Sequence, residues 1–156
     1  MAGLPLPGEP APQFRLTNQF GESVTSEGLA GHGFALVFFP FAFSRVCSME
    51  MAALQAQAAL FLSYDVRILA VSTDHRYALR AWADAQGLRF TLLSDFWPHG
   101  AAARTFNVFD EQTGHAGRST FFITSAGTVA SVVQSPPGEG RRMADYARSL
   151  EAMAPA

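Results

Sequence analysis

The feature that most constrains this chain is an apolar run that ends at a proline and leads, through a short turn, to the only cysteine. The run, residues 34–39, has the length and the aromatic content of a buried β-strand. Pro40 ends it, because proline lacks the N–H group that a β-ladder needs. The chain must turn after this strand, and Cys47 lies just beyond that turn.

Downstream of the turn, apolar residues recur with the spacing of one helix face. The recurring residues are Cys47, Met51, Leu54, Ala58 and Phe61. Cys47 is therefore predicted in the first helical turn, where unpaired N–H groups and the positive end of the helix dipole favour a thiolate. Ser44 is placed to cap this helix or to direct its hydroxyl at the sulfur.

Similar patterns predict the remaining elements. An edge hairpin is expected within residues 14–24, a second buried strand over 66–72, a return to the sheet over 88–93 and two more strands over 118–123 and 129–133. Further helices are expected up to residue 86, over 101–106 and over 141–152. For the first of these, Thr73 or Asp74 is the expected cap, and Ala78, Trp82 and Ala85 form the expected buried stripe.

The order of these elements predicts the fold class, which is α/β and thioredoxin-like, with a central mixed β-sheet flanked by helices. With 156 residues, the chain is expected to form a single domain, residues 1–156, around one core. Residues 1–12 carry four prolines and are expected to be an extended lead-in. Sites in such folds gather at the carboxyl ends of strands, and Cys47 follows one such end.

Composition excludes several kinds of function. The single cysteine excludes an internal disulfide and a dithiol redox pair, and the absence of lysine excludes Schiff-base chemistry. The four histidines are dispersed, so neither a metal nor a cofactor is expected. A net charge of −2 without a basic stripe predicts no nucleic-acid partner, and no apolar run is long enough to span a membrane. A lone cysteine without a leader-like start indicates a cytoplasmic protein.

The cysteine by itself leaves other interpretations open. A lone cysteine at a helix start is often a small buried hydrophobic residue without chemistry. A protease-like Cys–His pair also stays open, because such residues need only be close in space.

Two motifs together carry a family resemblance. The pattern Pro40-x-x-x-Ser44-x-x-Cys47 resembles the peroxiredoxin active-site signature Pro-x-x-x-Thr/Ser-x-x-Cys, and Arg118 precedes a strand as the peroxiredoxin arginine does. Residues 92–100 and 108–112 further resemble the one-cysteine alkyl hydroperoxide reductase E (AhpE) branch, and the likeness extends over residues 8–150. Ser44 stands where threonine is usual, which keeps the hydroxyl but loses the methyl group that restricts its rotamers.

The resemblance implies a thiol-dependent peroxidase for hydrogen peroxide, organic hydroperoxides and, as a further candidate, peroxynitrite. Cys47 would attack the peroxide and become a sulfenic acid. Arg118 would hold the thiolate and polarise the peroxide, while Ser44 would donate to the peroxide oxygens. Pro40 would shield the sulfur from water. Glu50 matches an acidic position that orients the arginine, and a solvated carboxylate at a helix start is the competing interpretation.

The resemblance also implies partners. With no second cysteine, the sulfenic acid needs an external thiol, either a low-molecular-weight thiol or a glutaredoxin-like or thioredoxin-like protein. A homodimer is expected, because relatives associate through loops near the active site, where this chain carries Phe41, Phe43 and Trp97. Arg45 matches no family position and is expected at the surface. The alternative function is a thioredoxin-fold redox sensor or binding scaffold without turnover.

Overall fold

A computed structural model describes residues 3–154 and is built around a seven-stranded mixed sheet. The strands are β1 (Arg15–Asn18), β2 (Ser23–Thr25), β3 (Gly33–Phe38), β4 (Val66–Ser72), β5 (Thr91–Ser94), β6 (Phe109–Asp110), β7 (His115–Ala116), β8 (Arg118–Ile123) and β9 (Val129–Ser135). The helices are α1 (Arg45–Ala56), α2 (Ala58–Ser63), α3 (Arg76–Gln86), α4 (Ala101–Thr105) and α5 (Met143–Met153), with a short 3-10 helix at Glu27–Leu29.

The sheet has the order β2-β1-β5-β4-β3-β8-β9, and β6 and β7 form a separate two-stranded ladder. The inner strand β3 pairs with β4 in parallel and with β8 antiparallel. Every residue of β3 is buried, which explains why its sequence is apolar without alternation. The hairpin β1–β2 lies at one edge of the sheet, as predicted.

The sheet separates two apolar clusters where one core was expected. The first lies against α1, α2, α3 and α5 and is built around Met51, Phe61, Trp82 and Leu150. The second lies on the opposite face, against α4 and the 3-10 helix, and is built around Phe38, Phe106 and Phe121. A central sheet with helices on both faces confirms the predicted fold class.

The single helix predicted after Cys47 is two helices. α1 ends at Ala56 and α2 begins at Ala58, because the N–H of Gln57 bonds to the carbonyl of Leu54 three residues back, at 3.0 Å. Such a tightened turn redirects the chain. The apolar repeat runs through the break to Phe61, so side-chain spacing alone could not detect it.

The start of α3 also differs from its prediction. Neither Thr73 nor Asp74 caps this helix; the cap is His75, whose Nδ1 accepts from the N–H of Tyr77 at 3.2 Å. The carboxylate of Asp74 is already engaged, since it accepts from the N–H of Ala42 at 2.8 Å. Gly87 ends the helix with a φ of 68°, as the predicted stop requires.

The buried stripe of α3 is shifted as well. The residues that it buries are Leu79, Trp82 and Ala83, whereas Ala85 is exposed and Ala78 is half-buried. Leu79 offers far more apolar area than an alanine, and this burial decides which face of the helix turns inward.

Both ends of the described part of the chain lie along the sheet. The described part of the lead-in, residues 3–12, runs beside β9, where Gly8 donates to the carbonyl of Val129 at 2.8 Å; residues 1 and 2 lie outside the described part. The final helix begins at Met143, so Arg141 precedes it instead of opening it as predicted. Within residues 3–154, no helix is long and apolar enough to cross a membrane.

Candidate active site

Cys47 lies where the sequence predicts it, in the first turn of α1 beyond the carboxyl end of β3. Its side chain is fully buried. The loop before α1 is attached to the end of β4 through Asp74. The Asp74 carboxylate accepts hydrogen bonds from the N–H of Ala42 in this loop and from the hydroxyl of Ser72 in β4. The loop also contains Phe43 at a φ of 69°, a left-handed conformation that is rare for a bulky side chain. The backbone conformation of the loop that leads into the thiol-bearing helix is therefore constrained.

Arg118 reaches the sulfur from the neighbouring strand. β8 pairs antiparallel with β3, so the first residue of β8 lies beside the end of β3, where the cysteine helix begins. Arg118 Nη1 lies 3.2 Å from Cys47 Sγ and 2.6 Å from Glu50 Oε1. A guanidinium group only donates hydrogen bonds, so Arg118 is the donor and Cys47 Sγ the acceptor of this contact.

Glu50 follows Cys47 by three residues and therefore shares its helix face. The structure buries Glu50, so the competing interpretation as a solvated carboxylate does not describe its position. Burial opposes ionisation of the carboxyl, but the hydrogen bonds and charge of Arg141, together with the charge of Arg118, outweigh it and hold the pKa of Glu50 below its ordinary value. Glu50 is thus an anion between two guanidinium groups.

Arg141 is a site residue that the sequence did not reveal. Its N–H and Nε donate to Glu50 Oε2 at 2.7 and 2.9 Å, and its Nη2 donates to Glu50 Oε1 at 3.1 Å. Its Nη1 donates to the carbonyl of Phe38, at the end of β3, at 2.6 Å. One available signal was Gly140, where an added Cβ would lie 3.1 Å from Glu50 Cγ, so a glycine there allows the close approach of this segment.

The other predicted site residues, Pro40 and Ser44, lie between the end of β3 and the helix that carries the thiol. Ser44 precedes α1 but makes no side-chain cap; its hydroxyl donates to the carbonyl of Phe41 at 3.1 Å. Its single proton is therefore engaged, and donation to a peroxide oxygen requires a rotation of the side chain. Pro40 is half-buried just after β3, and Arg45 is exposed at the start of α1.

A cavity of about 710 Å³ opens beside these residues. Pro40, Ser44 and Arg118 form part of its wall, and apolar side chains including Phe41 and Phe109 form another part. The cavity therefore borders residues next to the thiol, while Cys47 itself is not part of its wall and is fully buried.

Among the described residues, the structure shows neither a Cys–His pair nor a metal site at the cysteine. Its polar side-chain contact is Arg118, and no histidine between residues 3 and 154 hydrogen-bonds to the sulfur, so a protease-like Cys–His pair is not formed. Over the same residues, no group of three or more His, Cys, Asp and Glu side chains is arranged to hold a metal ion.

The fold and the site together define a class of protein. A buried thiol held by a guanidinium suits a sulfur nucleophile, and on a thioredoxin-like sheet this is the arrangement of the peroxiredoxins, the thiol-dependent peroxidases. Comparison with known proteins leads to the same class, since the AhpC/TSA family matches residues 7–132. The chain belongs to the AhpC/TSA family.

Individual relatives agree with this membership. The chain is 37% identical over 147 residues to alkyl hydroperoxide reductase E of Mycobacterium tuberculosis, covering 94% of this chain and 96% of the relative. Among solved structures, Enterococcus faecalis AhpC has a TM-score of 0.87 at 30% identity and covers 96% of this chain and 92% of its own. Peroxidoxin BcpB from Mycobacterium tuberculosis has a TM-score of 0.86 at 26% identity, covering 97% and 99%. The predicted one-cysteine peroxiredoxin of the AhpE branch is thereby confirmed.

Proposed function

We propose that this chain reduces hydroperoxides with Cys47 as the nucleophile and uses an external thiol to restore it. The observation that carries the proposal is the buried contact of 3.2 Å between Cys47 Sγ and Arg118 Nη1. In the reaction, the thiolate attacks the terminal peroxide oxygen, so that an S–O bond forms and the O–O bond breaks. The leaving oxygen takes up a proton and departs as water or an alcohol, and the cysteine is left as a sulfenic acid.

Each residue around the thiol has its own role in the proposed reaction. Arg118 stabilises the thiolate and the negative charge that develops on the peroxide oxygens. Ser44, after rotation of its hydroxyl, and the unpaired N–H groups of the first turn of α1 donate to the same oxygens. Glu50 orients Arg118, and Pro40 keeps water from the sulfur. The substrate set comprises hydrogen peroxide and organic hydroperoxides, with peroxynitrite as a further candidate oxidant.

The external thiol follows from the single cysteine, which leaves no partner for a disulfide within the subunit. It is a low-molecular-weight thiol or a glutaredoxin-like or thioredoxin-like protein. A compartment that keeps thiols reduced suits such a mechanism, and this supports a cytoplasmic location. The alternative of a redox sensor or scaffold without turnover is less favoured, since the relatives are named as reductases.

A homodimer completes the proposal. Three aromatic side chains in loops, Phe41, Phe43 and Trp97, are 44%, 59% and 82% exposed, and Phe41 also lines the cavity of the site. Exposed aromatic residues are enriched where protein surfaces associate, and two copies of this chain are the expected occupants.

Rapid mixing with peroxide tests the enzymatic function. Reduced protein and stoichiometric hydrogen peroxide are expected to consume the thiol about a thousandfold faster than free cysteine does, because positioning and fixed charges lower the barrier. The Cys47→Ser variant is expected to fold normally and to show no peroxide consumption. Thiol loss at the rate of free cysteine would leave only the sensor or scaffold.

A further inference from the structure

Two buried hydroxyl groups lie behind the arginines of the site. Thr120 follows Arg118 by two residues in β8, so both side chains leave the same face of the strand. Thr120 Oγ1 lies 3.1 Å from Arg141 Nη1 and 2.8 Å from the phenol oxygen of Tyr146, which α5 contributes. Both hydroxyl-bearing residues are buried, and the reaction described above assigns a role to neither.

The chemistry of these groups fixes part of the hydrogen-bond direction. Arg141 only donates, so Thr120 Oγ1 accepts from it. Burial raises the pKa of Tyr146, more than the nearby Arg141 and Thr120 lower it, so the phenol keeps its proton at neutral pH. Buried hydroxyl groups need hydrogen-bond partners within the protein, and here Thr120 and Tyr146 are partners of each other. The hydrogen bond to Tyr146 thereby holds the Thr120 hydroxyl toward Arg141.

This contact can influence the sulfur through Glu50. Glu50 Oε1 accepts from Arg118 Nη1 at 2.6 Å and from Arg141 Nη2 at 3.1 Å. Arg118 Nη1 is also the donor to Cys47 Sγ. When Arg141 is held firmly against Glu50, its positive charge neutralises more of the negative charge of the carboxylate. If Arg141 is loosened, Glu50 attracts Arg118 more strongly, and the donation from Arg118 to the sulfur weakens.

Arg118 has few other restraints. Its Nε is buried and has no hydrogen-bond partner within residues 3–154. Its guanidinium group is therefore placed mainly by Glu50 and by the sulfur, and a small change at Glu50 is transmitted to it.

We infer that Thr120 and Tyr146 are positioning residues of this site, which hold Arg141 on Glu50 and so keep Arg118 available to Cys47. The inference deepens the proposed function and rests on its assignment of Cys47 and Arg118. It extends the site from the amino end of α1 to α5, a helix that supplies none of the residues so far given a role in the reaction.

The competing explanation is that Tyr146 only packs in the apolar core. An experiment can distinguish this packing from the hydrogen bond of the hydroxyl. The phenol ring contacts the rings of Phe61 and Phe122 at centroid distances of 6.2 and 5.9 Å. These contacts do not involve the hydroxyl, so Tyr146→Phe removes the hydrogen bond and keeps them. Tyr64→Phe is a matched control, because Tyr64 packs against the same apolar cluster and its hydroxyl makes no hydrogen bond to Thr120 or to the arginines.

The experiment measures how fast iodoacetamide alkylates Cys47 across a range of pH, in reduced full-length protein. Thr120→Val and Tyr146→Phe are expected to move the midpoint of the profile about half a pH unit upward, and so to slow alkylation about threefold on the acid side of the midpoint. Thr120→Ser, which keeps the hydroxyl, and Tyr64→Phe are expected to retain the wild-type profile.

Unchanged profiles in folded Thr120→Val and Tyr146→Phe would overturn the inference, even if urea unfolding showed that both variants had lost stability. If Thr120→Val fails to fold, Tyr146→Phe decides alone, since it keeps the ring. Alkylation requires no peroxide, so the result is independent of the proposed reaction. A wild-type protein that fails to reduce peroxide would contradict the proposed function and leave the alkylation result to be judged separately.

Discussion

At the scale of single residues, the main feature of the site is a group of buried charged side chains. Arg118 and Arg141 bring two positive charges into the interior, and Glu50 supplies one negative charge. Glu50 therefore balances one of the two guanidinium charges. Unbalanced charges are costly to bury, so the stability of the fold depends on the position of Glu50 between the two arginines.

Glu50→Gln tests this balance. The variant keeps an acceptor oxygen but leaves two buried guanidinium groups without an anion, so we expect a loss of about 3 kcal/mol in the free energy of unfolding at neutral pH. Glu151→Gln, an exposed carboxyl on α5, is the control and is expected to change stability little. Urea unfolding of both variants provides the measurement, and equal stabilities would contradict the proposed charge balance.

The pH dependence of the same comparison has a defined sign. The pKa of Glu50 is lowered in the folded protein, so its contribution to stability is present above the ordinary value of 4.5 and is lost as pH falls through the lower folded value. The difference between wild type and Glu50→Gln is therefore expected to shrink below pH 4.5. A difference that grows on acidification would contradict the lowered pKa.

The sequence identified some site residues and missed another for clear reasons. Cys47 was identifiable because it is the only cysteine and begins an amphipathic helix, and Arg118 because it precedes an apolar strand at the family position. Arg141 stands beside Arg142 after a glycine-rich turn, where an arginine at the surface looks the same. Only the fold shows that one of these two neighbours is buried on Glu50 and the other is exposed.

At the scale of elements, burial was easier to predict than boundaries. The strands β3 and β8 were predictable because all their residues are buried and, apart from Arg118, are apolar or small. The break at Gln57 and the cap at His75 depend on individual hydrogen bonds, which the apolar pattern does not report. Helix ends are set by such local competition between side chains and backbone.

The attachment of α4 depends on one carboxylate. Asp95, buried after β5, accepts from the N–H groups of Ala102 and Ala103, both at 2.9 Å. We expect Asp95→Ala to lower the free energy of unfolding by about 2 kcal/mol, because two N–H groups of the helix lose their acceptors. Asp84→Ala, at an exposed position on α3, is the matched control. Thermal or urea unfolding is the measurement, and equal loss in the two variants would contradict the capping role.

Asp95 also responds to pH in the direction opposite to Glu50. Burial raises its pKa, and the bonds from Ala102 and Ala103 only partly counter this. A raised folded pKa means that its contribution is complete below the ordinary value of 3.8 and declines as pH rises through the folded value. The stability difference between wild type and Asp95→Ala is thus expected to narrow from pH 3.5 toward neutrality.

At the scale of the whole molecule, the sheet order brings distant segments to one place. β3 lies between β4 and β8, so the loop that leads to α1 is held by Asp74 beyond β4, and the thiol in the first turn of α1 faces Arg118 at the start of β8. The order of elements along the sequence predicted a central mixed sheet flanked by helices, but not the order of its strands. It did not predict the position of residues 136–142, whose return across the cysteine helix supplies Arg141.

Association of two copies is expected to depend on the exposed aromatic side chains of these loops. Trp97→Glu places a charge on a residue that is 82% exposed, so it disturbs the fold little and opposes a contact between copies. Leu62→Glu is the control, since Leu62 is 77% exposed on α2, outside the active-site loops. Light scattering at micromolar concentration is expected to show a dimer for wild type and Leu62→Glu and a monomer for Trp97→Glu. A monomeric wild type would remove the proposed dimer.

The last prediction concerns recovery of the enzyme after each turnover. With one cysteine in the chain, a sulfenic acid at Cys47 has no second thiol in its own subunit, and the same holds for an identical partner whose only thiol is also at a buried site. A sulfenic acid condenses with an outside thiol, so that an S–S bond forms and water leaves. After peroxide treatment, incubation with a low-molecular-weight thiol is expected to give one adduct per chain by intact mass, mapping to Cys47 and removable by a dithiol reductant. Cys47→Ser is the matched control and is expected to give no adduct. Persistence of the sulfenic acid in the presence of thiol, or steady turnover without any thiol, would contradict external resolution even if Cys47 were the residue that reacts with peroxide.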